Sequence, residues 1–180
     1  MERREFLQTL AGGSLILLVP ARLSAEILKP GNSVAFRCLG NRNGARWLDG
    51  RTQEGAVGLA PVLGRHYTGT KWAVVKAGED TRIVHLKCLG LLNGNRFLDG
   101  RTQNGTVGLA PHTSGPFTGA RWQVVEADEN NPSFVFLKCM GREEGSRWLA
   151  GRTDGTVGLA SRTELVGTKW EVQQYPVIRD

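Results

Sequence analysis

An aromatic, a carboxylate and a guanidinium recur together along this chain in a spacing suited to a ligand rich in hydroxyl groups. Trp47, Asp49 and Arg51 form the first such set and Phe97, Asp99 and Arg101 the second; a third has Trp148 and Arg152, with Ala150 in the carboxylate's place. In an extended strand, residues two apart share a face, so each set presents one surface. If Leu48, Leu98 and Leu149 turn inward, the sets turn outward. An aromatic plane can cover the apolar C–H face of a pyranose, while charged groups exchange paired hydrogen bonds with its hydroxyls. An architectural use of the same residues stands beside this one. The arginine would stack on the aromatic and tie a hairpin through backbone carbonyls, at about 0.5–1 kcal/mol for an exposed contact.

Other chemistry finds little to work with. His66, His85 and His112 fall at unlike positions, and no Ser-x-x-Lys, Gly-x-Ser-x-Gly, His-Glu-x-x-His or phosphate-loop spacing occurs. Asp49 and Asp99 recur because a longer pattern recurs, which predicts two similar sites and not one acid/base pair. The reading is therefore a non-enzyme with no catalytic residues and no cofactor. Cys38, Cys88 and Cys139 show neither a Cys-x-x-Cys nor a zinc-type spacing. Buried thiols acting as small hydrophobes are expected, the alternatives being a disulfide, which needs Cα atoms within about 7 Å, or a metal trio.

The elements that carry these sets come in three copies. After each cysteine follow Gly (Gly40, Gly90, Gly141), Gly again (Gly44, Gly94, Gly145), Arg (Arg46, Arg96, Arg147), an aromatic and Leu (Leu48, Leu98, Leu149). Gly-Arg-Thr comes next, starting at Gly50, Gly100 and Gly151, then Gly-Leu-Ala starting at Gly58, Gly108 and Gly158. Each copy closes on Gly and Trp: Gly69 and Trp72, Gly119 and Trp122, Gly167 and Trp170. The period on the cysteines is 50 and then 51 residues. Within a copy, Val34–Cys38 and its equivalents alternate apolar with other residues, the pattern of a half-buried strand. Three more short strands are predicted, through Arg46–Asp49, Val57–Ala60 and Trp72–Val75, with the hairpin turn between the second and third marked by Asn104-Gly105 and Asp154-Gly155. No segment has a sustained helical period. The 24 glycines in 180 residues, above the usual ~7%, fit a fold with many turns.

Three units of four strands are too few for a propeller. With its triple aromatic-Leu pair, Gly-turn-Val-x-Leu hairpin and late Trp, residues 32–175 resemble the β-trefoil superfamily, specifically its fascin-like and ricin-B-like members. The resemblance implies an all-β domain over 26–180, with repeats at about 33–78, 83–128 and 134–175 and pseudo-three-fold symmetry; a β-prism is the alternative fold. The lectin members imply carbohydrate binding. They carry a Gln two places before the Trp, where this chain has Thr70, Ala120 and Thr168, and a cysteine pair in each unit, where it has one Cys.

Residues 1–25 read as an address. Arg3-Arg4-Glu5-Phe6-Leu7 resembles a twin-arginine export signal, followed by an apolar run over 10–19 and cleavage-like ends at Ala21 or Ala25. The run is too short for a permanent span, so the mature chain is expected to lack one and to be periplasmic or secreted. The net charge of +6 is scattered without a basic block, which argues against a specific nucleic-acid site. The expected partner is a glycan or an extracellular or periplasmic protein, met as a monomer. In the competing reading the domain is a protein-interaction or protease-inhibitor scaffold presenting Arg65 from a loop that varies among the copies.

Overall fold

The computed structural model describes residues 26–40 and 44–175. Twelve strands follow one another: β1 Ser33–Cys38, β2 Trp47–Arg51, β3 Ala56–Ala60, β4 Trp72–Lys76, β5 Ile83–Cys88, β6 Phe97–Arg101, β7 Thr106–Ala110, β8 Trp122–Glu126, β9 Phe134–Cys139, β10 Trp148–Gly151, β11 Val157–Ala160 and β12 Trp170–Gln174. Short 3-10 turns at Thr68–Thr70 and Thr118–Ala120, unforeseen in the sequence, precede β4 and β8.

Six strands, the first and last of each repeat, close on themselves. β4 pairs with β5, β5 with β8, β8 with β9, β9 with β12, β12 with β1 and β1 with β4, all antiparallel. Closure removes the exposed strand edges that an open sheet would leave. The other six form three hairpins, β2–β3, β6–β7 and β10–β11, each tied to the barrel by one bridge: Arg37 with Trp47, Lys87 with Phe97, Lys138 with Trp148. The hairpins also hold one another in a ring. Leu59 N–H donates to Gly155 O at 2.9 Å, Leu159 N–H to Gly105 O at 2.8 Å and Leu109 N–H to Gly55 O at 2.8 Å. Each accepting glycine has positive φ, 67°, 72° and 84° at Gly55, Gly105 and Gly155, which aims its carbonyl at the neighbouring hairpin and is easy only without a Cβ. The turns are four residues long in the first two hairpins and five in the third, not the tight pair that Asn-Gly suggests, because Asn104 and Asp154 serve as acceptors for Thr106 and Thr156 N–H instead of adopting positive φ.

A barrel of six strands capped by three hairpins in a three-fold ring is a β-trefoil. A β-prism would keep three separate sheets, and the closed pairing of β1, β4, β5, β8, β9 and β12 excludes it. The core is shared: Leu48, Leu98, Leu149, Leu59, Leu109, Leu159, Trp72, Trp122 and Trp170 belong to one cluster, with all three cysteines at 0% exposure. Each Trp ring also donates Nε1–H to the carbonyl of Leu48, Leu98 or Leu149 in its own repeat, at 2.8–3.0 Å.

The cysteines clasp successive repeats. Cys88 Sγ lies 3.4 Å from Gly50 O and 3.5 Å from Gly69 O, and Cys139 Sγ has the same distances to Gly100 O and Gly119 O. Cys38 closes the circle on Gly167 O at 3.5 Å. A Cβ on Gly100 would come 2.8 Å from Cys139 Sγ, which is why the Gly-Arg-Thr triplets must begin with glycine. All three thiols are free, as the reading of buried small hydrophobes expects.

Candidate functional site: equivalent clefts between successive repeats

Simple alternation fails in the second strand of each repeat. Leu48-Asp49-Gly50 and Leu98-Asp99-Gly100 are buried at three positions in a row, because one face of the hairpin lies on the barrel core and the other under the 3-10 turn of its own repeat. Asp49 and Asp99 are each only 8% exposed, opposite Gly58 and Gly108, and a Cβ on Gly69 would come 2.8 Å from Asp49 Oδ1.

Each aspartate lines a cleft. The first, of about 140 Å³, is bounded by Asp49, Arg51, Glu54, His66, Tyr67 and Leu92. The second, of about 320 Å³, has Asp99, Arg101, Asn104, Phe117 and Glu143 at equivalent places. A third, bounded by Gly40, Arg152, Thr153, Asp154 and Val166, lacks the buried acid because Ala150 replaces it. Every cleft is completed by a loop of the next repeat. Thr52 Oγ1 donates to Leu92 O at 2.7 Å and Thr102 Oγ1 to Glu143 O at 2.6 Å, while Arg96 and Arg147 donate Nη2–H to the same two carbonyls at 3.0 Å. Thr52 and Thr102 of the Gly-Arg-Thr triplets, and Arg96 and Arg147 before the aromatics, are thus building parts of the cleft wall.

Burial pushes the carboxyls of Asp49 and Asp99 above the ordinary carboxylate range, with Arg51 and Arg101 partly opposing the shift and Glu54 adding to it at Asp49. Asp99 Oδ1 is buried and has no hydrogen-bond partner among the described residues. A buried, unpartnered carboxylate oxygen costs stability. Arg51 is half-exposed, near Glu54 at 3.8 Å.

The structure divides the sets read from the sequence. Asp49 and Arg51 share a cleft, as do Asp99 and Arg101, while Arg152 lines the third. Trp47, Phe97 and Trp148 line none of these three clefts. They are half-buried beside the barrel, where Lys87 Nζ sits 5.8 Å from the Phe97 ring centre, Lys138 Nζ 5.6 Å from that of Trp148, and Phe136 meets Trp148 edge to face. The stacking cation is thus a lysine of β5 or β9, not the arginine of the set. The aromatics that do line the clefts, Tyr67 and Phe117, come from the segments that differ among repeats, with His112 packed edge-on against Phe117 at 4.8 Å. Three-fold repetition could not reveal them, since the third copy has Leu165 at that place; an aromatic two residues ahead of Gly69 and Gly119 was the available signal.

The class this architecture defines is a β-trefoil with a cleft at each junction of repeats. Among solved structures the chain is similar to SeviL bound to an asialo-GM1 saccharide, at 13% identity and TM-score 0.58, over 81% of this chain and 99% of that one. It is similar to the BEL β-trefoil at 17% identity and TM-score 0.58, over 81% and 94%. A salivary protein from Culex of the Cysteine and Tryptophan-Rich family aligns at 15% identity and TM-score 0.55, over 82% and 96%. A GlcNAcα1-4Gal-releasing endo-β-galactosidase from Clostridium perfringens aligns at 14% and 0.59, over 81% of this chain but 33% of the enzyme. No family model and no curated protein matches the sequence.

The export reading falls on residues 1–25, outside the described residues. Among the described residues no helix is long and apolar enough to cross a membrane, and no group of His, Cys, Asp or Glu could hold a metal ion.

Proposed function

We propose that this chain is a non-enzymatic carbohydrate-binding module, exported from a bacterial cytoplasm, which takes sugars in the clefts of Asp49 and Asp99. The observation that carries the reading is the unpartnered, buried Oδ1 of Asp99 in a cleft beside a guanidinium and a loop aromatic. A pyranose supplies what those groups lack. Its vicinal hydroxyls donate to the carboxylate and accept from arginine, and its C–H face covers an aromatic face. Ligand-bound SeviL, a β-trefoil-like neighbour, supports the choice of saccharide over other hydroxylated ligands.

A glycan array on the mature protein tests the reading, with the Asp49→Ala/Asp99→Ala double variant as the control and Trp47→Ala/Phe97→Ala as the comparison. Binding is expected to vanish in the first and persist in the second. Binding to no glycan, or binding indifferent to both aspartates, would remove the proposal. Export is tested separately by fractionating cells that produce the full chain or its Arg3→Lys/Arg4→Lys variant, the wild type alone being expected outside the cytoplasm.

The competing scaffold reading has less to stand on. Arg65, the residue a protease would have to accept, has φ 53° in a tight turn where Gly64 pairs with Tyr67, whereas peptides docked by strand addition lie extended.

A further inference from the structure

The clefts of Asp49 and Asp99 share a backbone frame and differ at their rims. The rim residue of the first is Leu92, 59% exposed and preceded by Leu91 at 80%; that of the second is Glu143, also exposed. Their carbonyls are pinned alike, by a threonine hydroxyl at 2.7 and 2.6 Å and an arginine Nη2 at 3.0 Å in both, so the two loops enter their clefts from the same anchored position. Around the walls Glu54, His66 and Tyr67 of the first cleft give way to Asn104, Pro116 and Phe117 in the second, and at this rim an apolar side chain gives way to a charged one. Leu91 and Leu92 are the two most exposed large apolar residues of the second repeat, where the third repeat has Arg142 and Glu143.

We infer that the residue at this rim sets which ring substituent each cleft accepts: the Asp49 cleft selects a pyranose carrying a methyl group, as an acetamido or a 6-deoxy sugar, and the Asp99 cleft does not. The inference rests on the carbohydrate reading and deepens it. A methyl laid on Leu92 removes apolar surface from water on both partners. The same methyl against Glu143 would strip water from a carboxylate and return no hydrogen bond, so that edge suits an unsubstituted hydroxyl. One protein would then present two neighbouring sites of unlike preference, each chosen by a single loop side chain.

The experiment isolates each cleft. Asp99→Ala leaves the first and Asp49→Ala the second, and each protein is titrated by calorimetry with matched pairs: N-acetylglucosamine and glucose, N-acetylgalactosamine and galactose, D-fucose and galactose. In the Asp99→Ala protein the methyl-bearing member of at least one pair should bind roughly four-fold tighter, the factor that burial of one methyl gives. Adding Leu92→Glu should erase the preference, and Glu143→Leu in the Asp49→Ala protein should create it. The acetamido and fucose arms separate the two sources of the methyl. Both rim side chains are exposed, so melting temperature should stay put and any change in preference belongs to the rim. Equal preferences in the two clefts, or a preference unmoved by Leu92→Glu, overturn the inference and leave the carbohydrate reading standing. Binding of none of these sugars by either protein, together with a blank glycan array, overturns both.

Discussion

Replacing Asp99 by alanine should make this protein more stable and less able to bind. The side chain is 8% exposed, its Oδ1 has no partner among the described residues, and burial raises its pKa against the partial help of Arg101. The backbone has already accepted the change elsewhere, since Ala150 sits at the equivalent place, 7% exposed and paired with Gly158 as Asp99 is with Gly108. Removing a buried unsatisfied polar group relieves about 1–3 kcal/mol. For a domain of this size each kcal/mol moves the melting temperature by about 2–4 °C, so Asp99→Ala should melt roughly 2–12 °C above wild type at pH 7. The sign with pH follows from linkage. A carboxyl whose pKa is raised by folding binds its proton more tightly in the native state, so wild type loses stability as pH climbs through the folded pKa. The advantage of the variant should therefore be full at neutral pH, shrink as pH falls through the raised folded pKa, and reach its minimum once pH is below the ordinary carboxylate value. Calorimetric melts from pH 3 to 8 measure it. A variant that melts lower at pH 7, or whose gain is flat with pH, would show that the carboxylate holds the hairpin together, and the argument that it awaits a ligand would fall.

Two further outcomes follow from the shared core and its clasps. Leu98→Ala should cost about 2–5 kcal/mol and lower one cooperative transition of the whole domain, because Leu98 packs in the same cluster as the leucines and tryptophans of the other repeats; two resolved calorimetric transitions would contradict that. The three thiols should react with an aromatic disulfide reagent at pH 8 only as fast as the chain opens, since burial holds Cys88 above its usual pKa and pushes Cys139 up to about 11. Labelling should accelerate with denaturant, and prompt modification of native protein would show that the clasps are open.

The barrel and hairpins were legible because the repeat shows which positions matter. Leu, Trp and Gly at fixed places in all three copies named nine members of the core and the four strands of each unit, with strand ends within about a residue or two. The cleft was only half legible, for a physical reason. Period-two alternation assumes a strand with one wet face, and β2 and β6 are covered on both, so Asp49 and Asp99 are enclosed while Trp47 and Phe97 turn to the side of the barrel. Tyr67 and Phe117 escaped notice because the third copy has Leu165 at their place, and Leu92 and Glu143 because they lie where the copies differ. In a repeated fold, comparing copies finds the frame, and the residues that distinguish one cleft from another are hidden by the same comparison.

The pairing of β12 with β1 has a consequence for the order of the chain. Val34 faces Gln174 and Cys38 faces Trp170, just as Val84 faces Lys76 and Cys88 faces Trp72, and Val135 faces Glu126 and Cys139 faces Trp122. Tyr175 N–H reaches Ser33 O at 2.8 Å, so the seam between last and first strands is a β-hairpin whose connecting loop is missing. The molecule is in effect a circle cut at one of three interchangeable points. Bridging residues 175 and 26 with a short polar linker, which keeps buried Leu28 and the Gly31 and Asn32 bonds to Val74, and reopening the chain in 77–82 or 127–133 would leave every strand pair, thiol clasp and cleft wall where it stands.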